Sequence, residues 1–354
     1  MPLTPNITTD LCSQAYSEII DVRSPAEFAE DHLPGAVNLP VLDNQERAHV
    51  GTLYKQVSAF AARKQGAALV AHNLSRHLSH HFADKPKAYH PLIYCWRGGQ
   101  RSQSMALVLT QVGWQTTLLD GGYKTYRAYV REQLNQLPYR FSYRMVCGLT
   151  GTAKTEILER LSRQDAQILQ LEALANHRGS LLGAERNRQP SQKQFESDVL
   201  SVLQTFDPYR PVWVEAESSK IGERFVPQAL WLQMKQAPCI EIQVPMAARV
   251  KWLLTHYAHF TLKPDLLKEK LHLLRRSYSK AQFQAWHQLI DEGAWSELVR
   301  SLLEKHYDPA YRRSMNRQYS NIQQTIQLQD LSSTSLETVV QSLATTRDVA
   351  ITGK

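Results

Sequence analysis

The sequence predicts an α/β protein with parallel sheets in both halves and a helical C-terminal portion. Three observations carry this. Short apolar strands alternate with helical patterns, which implies parallel pairing. The alternation resets around "QLPYRFS", residues 136–142, and starts again. Beyond Val244 the spacing becomes helical, and Lys, Arg, Trp, Tyr and His crowd together. The length, 354 residues, exceeds what one core usually supports. Two domains follow, residues 1–138 and 139–354.

The elements of the first half read in order. "EIIDVR" is a short buried strand, and "HPLIYCW" is another that closes on a cysteine. "SQSMALVLTQVGW" has helical periodicity and stops near Gly113. "QTTLLD" is a strand broken by "GGY". The second half opens with "YRMVCGLTGTAKTEILERL", a strand, a loop and a helix. The strands "AQILQL", "RPVWVEA" and "PCIEIQV" follow. The tail from Asp330 carries one short helix and a loose end.

Composition excludes several classes. The chain is 43% hydrophobic and 21% charged, ordinary for a soluble globular protein. No apolar run approaches the roughly 18 residues of a membrane span. The start "MPLTPNITTD" lacks the basic and apolar regions of a signal peptide, so a cytoplasmic protein is expected. Cys12, Cys95, Cys147 and Cys239 form no CxxC pair and no cluster with histidine. Free thiols are therefore expected, with neither a disulfide framework nor a zinc site.

The net charge is +8. Residues 249–280 hold eight Lys/Arg against two acids, whereas residues 1–140 hold 14 against 11. That local excess suits an anionic partner such as RNA, or a solvated helical face.

The stretch "YCWRGGQRS" places Cys95 after a strand and before a helix. Backbone N–H groups and the helix dipole favour a thiolate there. Gly98 and Gly99 let the backbone curl inward, and Arg97 and Arg101 add positive charge. The expected result is an anion-binding cup with a nucleophilic sulfur at its base. The alternative is a structural cysteine at a strand end, which needs neither glycines nor arginines.

"CGLTGTAKTEIL" follows a strand and opens a helix, the context of a P-loop. The pattern GxxxxGK[ST] maps to Gly148, Ala153, Lys154 and Thr155, with Ala153 in place of the usual second glycine. Gly151 and Thr152 lie inside the loop. Lys154 and the backbone are expected to hold phosphate, and Thr155 is suited to a magnesium ion. No other metal and no tightly bound cofactor is expected.

Two polar clusters follow later strands. "LEALANHRGSLLG" supplies Glu172, Asn176, His177, Arg178 and Ser180. "PVWVEAESSKIG" supplies Glu215 at the position of a Walker B acid, then Glu217, Ser218, Ser219 and Lys220. Such clusters converge at the carboxyl ends of parallel strands.

These motifs carry a resemblance. "IIDVRSPAEFAEDHLPGAVNLP", "CWRGGQRS" and "LLDGGYKTY" resemble the opening signature, active loop and closing turn of rhodanese domains. Tyr126 stands where tryptophan is common, and Asp31 where glycine is usual. The loop runs CxxGxxRS, one residue longer than the frequent form, which suggests a wider cup. A rhodanese-like domain followed by a P-loop NTPase-like domain with "LEALANHRGS" and "VEAESSKIG" resembles the tRNA 2-selenouridine synthases, over roughly residues 10–320. Ala153 departs from the pattern. So does Gln170, where an acid is expected.

The resemblance implies replacement of sulfur by selenium at C2 of a wobble 2-thiouridine in tRNA. It implies selenophosphate and geranyl diphosphate as substrates, with an S-geranylated intermediate. Alkylation makes the sulfur a leaving group and C2 more electrophilic. Cys95 is then needed for selenation. Arg23, Arg97, Gly98, Gly99 and Arg101 shape the selenophosphate cup, with Asp21 fixing Arg23. Gly148, Gly151, Thr152, Ala153, Lys154 and Thr155 cradle the diphosphate. The anticodon loop of tRNA is the expected partner, together with a selenophosphate-supplying enzyme and no membrane. Arg249, Lys251, Arg275, Arg276, Arg312 and Arg313 are the expected tRNA contacts, with Trp252, Tyr257, Tyr278, Tyr307 and Tyr311 interleaved. About half of these aromatics are expected in a helical core. Two rivals remain on the residues alone: a rhodanese-type sulfurtransferase with an accessory NTPase domain, and a non-catalytic RNA-binding regulator on a degenerate P-loop. A phosphatase reading of the long cysteine loop is more distant.

Overall fold

A computed structural model describes residues 4–10, 16–179, 182–183, 187–318 and 321–345. Cys12 and Ser180 lie outside them. The chain divides into two compact units, Met1–Gln133 with Pro190–Ser201, and Leu134–Gln189 with Val202–Lys354.

The first unit holds a five-stranded parallel sheet: β1 (Asn6–Thr8), β2 (Glu18–Asp21), β3 (Ala36–Asn38), β4 (Pro91–Tyr94) and β5 (Thr117–Leu119), in the order β1-β5-β4-β2-β3. All four β4 residues are buried, as a central parallel strand requires. Ile20 and Ile93 pair in register and pack in one cluster with Met105 and Leu109 of helix Gln100–Val112. That helix stops at Gly113, whose φ of 113° suits only glycine readily. Between β3 and β4 run two helices absent from the sequence reading. Asn44–Gln56 starts on a capping box of Asp43 and Glu46, and Ala59–His80 starts on Ser58.

The segment Pro190–Ser201 counts with this unit, although the sequence division places it in the second domain. Ion pairs account for the difference: Arg127 with Glu196, and Lys193 with Glu30 at 2.7 Å.

The second unit holds another parallel sheet. Its strands are β6 (Tyr143–Cys147), β7 (Gln167–Leu169), β8 (Val212–Glu215), β11 (Cys239–Gln243) and β12 (Ile322–Gln327), ordered β12-β11-β6-β8-β7. A two-stranded antiparallel ribbon, β9 (Lys220–Ile221) and β10 (Arg224–Phe225), follows β8. The helix after β6, Lys154–Arg163, buries Ile157, Leu158 and Leu161 against Leu336 and Val340 of helix Ser333–Thr345. The tail helix is thus part of the core. The helical stretch from Met246 to Gln318 builds its own cluster around Trp286, Leu271, Leu298 and Leu302. Tyr278 is half-buried and packs edge-on against Trp286 of this cluster at 4.8 Å. Among the described residues, no helix is long and apolar enough to cross a membrane.

Candidate active sites

In the first unit, β4 delivers Cys95 to the carboxyl edge of the sheet. Cys95 is 3% exposed, and its Sγ accepts from the Gly99 N–H at 3.2 Å and from Ser102 Oγ at 3.2 Å. The start of helix Gln100–Val112 thus points its donors at the sulfur. The turn "DGG" closes the loop from the other side. Tyr123 N donates to the Cys95 carbonyl at 2.8 Å, and Lys124 N to that of Trp96 at 3.1 Å. A Cβ on Gly122 would lie 2.2 Å from the Cys95 oxygen, so no side chain fits there.

The arginines divide. Arg97 is exposed beside the loop. Arg101 pairs with Glu27 at 2.7 Å. Burial pushes the Glu27 carboxyl up, but the hydrogen bond and charge of Arg101 outweigh it, and the net shift is downward. Arg23 is fully buried. It binds Asp21 Oδ2 at 2.6 Å and the Asp31 carbonyl at 2.6 Å, and lies 4.0 Å from the centre of the Tyr123 ring. Arg23 is therefore not placed as an open cation of the cup. It ties the sheet end to the closing turn, and Asp21 neutralises it. Asp31 is buried too and accepts from Tyr123 Oη at 2.8 Å, which accounts for an acid at a usual glycine position.

In the second unit, β6 feeds the phosphate loop. Gly148 and Gly151 have φ of 153° and 84°. Ala153 sits at φ 60°, ψ 29°, in the left-handed region that a methyl group disfavours. Lys154 Nζ donates to the Gly148 carbonyl at 2.9 Å and lies 3.6 Å from Glu215 Oε1. Thr155 Oγ1 donates to Glu215 Oε2 at 3.0 Å. The Walker-type pairing of the helix start with the acid on β8 is thus formed.

Two further residues brace this loop. The Gly148 N–H donates to Tyr311 Oη at 2.9 Å. Arg249 is 2% exposed, donates to the Thr150 carbonyl at 2.9 Å and forms a double contact with Asp308 at 2.6 and 3.0 Å. This corrects one sequence expectation: Arg249 supports the phosphate loop from within and is not an exposed RNA contact. Tyr311 braces the same loop and lines the cavity beside it. No sequence spacing signals a tyrosine 163 positions after Gly148. By contrast Lys251, Arg275, Arg276, Arg312 and Arg313 are all exposed.

The loop opens into a cavity of about 630 Å³, whose wall includes Thr150–Thr155, Glu172, Arg178, Glu215, Glu217 and Ser218. Asn176, His177 and Lys220 are not in that wall. Asn176 donates to the Asn187 carbonyl at 2.8 Å, and Lys220 lies over the Phe225 ring. His256 and His306 line the cavity without having been singled out from the sequence.

Oxygen atoms of Glu172, Glu215 and Glu217 lie within 4.8 Å of one another. Burial first, and then the charge of Glu215, pushes the Glu172 and Glu217 carboxyls up. Gly179 lets the backbone pass: a Cβ there would stand 2.5 Å from both Glu172 Oε1 and Glu217 Oε2. Hard oxygen donors beside Thr155 fit a magnesium ion. Thr155 and Glu215 would hold it.

A second pocket, almost wholly apolar, adjoins this cavity. Leu253, Leu254, Phe260, Leu298 and Leu302 line it, and it shares Thr150, Leu253, Tyr257 and Tyr307 with the phosphate cavity.

Comparison with known proteins is decisive on one point. The family described as the tRNA 2-selenouridine synthase AAA domain matches residues 141–342, more than half of the chain. The chain belongs to the tRNA 2-selenouridine synthase family. A rhodanese-like domain matches residues 6–129 of this family member. The tRNA 2-selenouridine synthase of Alcanivorax borkumensis is 31% identical over 336 residues, 86% of this chain and 91% of that protein. Those of Nitrosomonas europaea and Nitrosomonas eutropha are 35% and 34% identical over 250 and 255 residues. The matched stretches span 64% and 65% of their lengths, and 69% and 70% of this chain.

Proposed function

We propose that the protein is a tRNA-modifying transferase that replaces sulfur by selenium at C2 of wobble 2-thiouridine, in two steps. In the first, the thiocarbonyl sulfur attacks C1 of geranyl diphosphate. The C–O electron pair leaves with the diphosphate, and N3 loses its proton to solvent. In the second, the selenium of selenophosphate attacks C2, and the C2–S pair leaves with sulfur as geranyl thiolate. Water then cleaves the P–Se bond, which gives phosphate, a proton on N3 and the selenocarbonyl.

One observation carries the choice of geranyl diphosphate over a nucleoside triphosphate. The phosphate cavity shares Thr150, Leu253, Tyr257 and Tyr307 with an adjoining apolar pocket of about 80 Å³, room for the first carbons of a hydrocarbon tail and not for all ten. A diphosphate ester with a hydrocarbon tail needs both parts. Lys154 and the loop N–H groups stabilise charge on the leaving diphosphate, and a magnesium ion at Thr155 and Glu215 would share it. Cys95 and its loop serve the second step, where an anion must deliver a soft nucleophile. Selenophosphate comes from a separate enzyme. The exposed cations Lys251, Arg275, Arg276, Arg312 and Arg313 suit tRNA phosphates.

The test compares substrates. Protein with 2-thiouridine tRNA should consume geranyl diphosphate stoichiometrically with modified nucleoside and show no steady ATP turnover. Steady ATP turnover with sulfur transfer from thiosulfate would favour the sulfurtransferase reading instead.

A further inference from the structure

Neither step above uses the pair of helices inserted between β3 and β4, Asn44–Gln56 and Ala59–His80. From Arg47 to Ala83 the chain holds five Lys or Arg and no acid, although it carries 33 Asp and Glu in its 354 residues. Among the described residues, Arg47 is the one of these five that reaches a carboxylate, Glu27 at 3.9 Å. Lys55, Arg63, Lys64 and Arg76 are exposed to solvent. Their charge has no counterion within this stretch of chain.

Cations and aromatic rings meet at one end of the pair. Tyr54 and Lys55 lie in the last turn of the first helix, and Phe60, Arg63 and Lys64 in the first two turns of the second. Tyr54 is 64% exposed and Phe60 69%. The first turn of the second helix carries no acid, although its N-terminal N–H groups favour one. An anion from outside fits there better than a second copy of this basic chain, whose net charge is +8. RNA offers both halves of the match: phosphates for the cations, and unstacked bases whose faces lie on aromatic rings. The base of the pair stands at the sheet edge that holds Cys95. Strands β3 and β4 both run parallel to β2, so Asp43 and Cys95 follow the same edge. Asn73 Nδ2 of the second helix donates back to the Val41 carbonyl at 3.2 Å and to Glu46 Oε2 at 2.8 Å. The tip is one helix length from that edge, about 20 Å.

We propose that this tip is a tRNA-binding surface of the first unit. Lys55, Arg63 and Lys64 meet backbone phosphates, and Tyr54 and Phe60 stack on unpaired bases. The proposal rests on the reading of tRNA as substrate. It gives the unit that holds Cys95 its own grip on the nucleic acid, in addition to the exposed cations of the second unit.

The test titrates the full chain with 2-thiouridine tRNA at a series of salt concentrations. Combining Lys55→Gln, Arg63→Gln and Lys64→Gln removes three charges at exposed positions and keeps good helix formers. Kd at fixed salt should rise about tenfold, and the slope of log K against log salt should fall by about 2. Phe60→Ala should raise Kd about fivefold with the slope unchanged, and Phe60→Tyr, which keeps the ring, should bind as the wild type does. A triple variant with the wild-type slope would overturn the proposal and leave the tip to a protein partner, with tRNA still the substrate. Wild-type protein without measurable affinity for tRNA would remove the tRNA reading itself.

Discussion

The cysteine loop and the phosphate loop share one plan and differ in what they place at its centre. Each follows a buried parallel strand, turns on at least one glycine with positive φ and ends at a helix start. In the first unit the helix N-terminus donates to a sulfur, from Gly99 N and Ser102 Oγ. Two of the nearby arginines, Arg23 and Arg101, are already neutralised by Asp21 and Glu27. In the second unit the centre is a cation, Lys154, faced by Glu215 and two more carboxylates. The difference teaches how one backbone device serves two chemistries. In the proposed two-step reaction the first receives an anion that brings the nucleophile, and the second stabilises an anion that leaves.

If the two loops are so divided, single changes should separate the steps. Cys95→Ala should have the largest effect, a fall in selenation of roughly 10³-fold or more, with geranyl transfer intact. Mass spectrometry of the wobble nucleoside reads both. Geranyl transfer lost as well would merge the two sites into one. Lys154→Ala comes next: geranyl transfer should fall by about 10²–10³-fold, and selenation of thiolated tRNA with it. Selenation of ready-made S-geranyl tRNA should survive, and its loss would contradict the division.

Changing Arg275 and Arg276 together to Ala should weaken tRNA binding and reduce the slope of log K against log salt by about 2. An unchanged slope would take both out of the interface. A smaller effect concerns the carboxylates. Burial raises Glu172 and Glu217, so the folded state holds protons that the unfolded state has given up. Stability from this source is present in acid and declines as pH rises above the ordinary carboxylate range. Glu172→Gln should therefore raise Tm at pH 8 by about 2–4 °C and do less at pH 5. A larger gain at pH 5 would reverse the sign. The smallest change is Ala153→Gly. It relieves a left-handed alanine but adds chain entropy, for a net gain of about 0.5 kcal/mol in thermal unfolding, with geranyl transfer retained. A clear loss of stability would mean that the Ala153 methyl matters more to its core cluster than the strain does.

Much of this was legible in the sequence, for definite reasons. Buried parallel strands are short apolar runs, so β2, β4, β6, β8 and β11 announce themselves, and Cys95 and Lys154 follow from where those runs stop. Strand β12 does not: "IQQTIQ" is polar at four of its six positions, and it pairs with β11 alone, at the sheet edge. The helices 44–56 and 59–80 start on ordinary caps within a weakly periodic stretch. The roles of Arg249 and Tyr311 were hidden for another reason. A basic and aromatic segment looks the same in sequence whether a given side chain faces RNA or reaches inward. Only the fold pairs Arg249 with Asp308, 59 positions away, and sets Tyr311 on Gly148. Pairings between distant positions leave no local pattern, which also hid the docking of Pro190–Ser201 on the first unit.

The central claim is that the two loops act in sequence on one uridine. The most direct test incubates pure protein with 2-thiouridine tRNA and geranyl diphosphate, then adds selenophosphate, and follows the wobble nucleoside by mass spectrometry. The account predicts a geranyl adduct that forms first and then converts to 2-selenouridine. Selenium incorporated without geranyl diphosphate, or an adduct that selenophosphate does not convert, would contradict it.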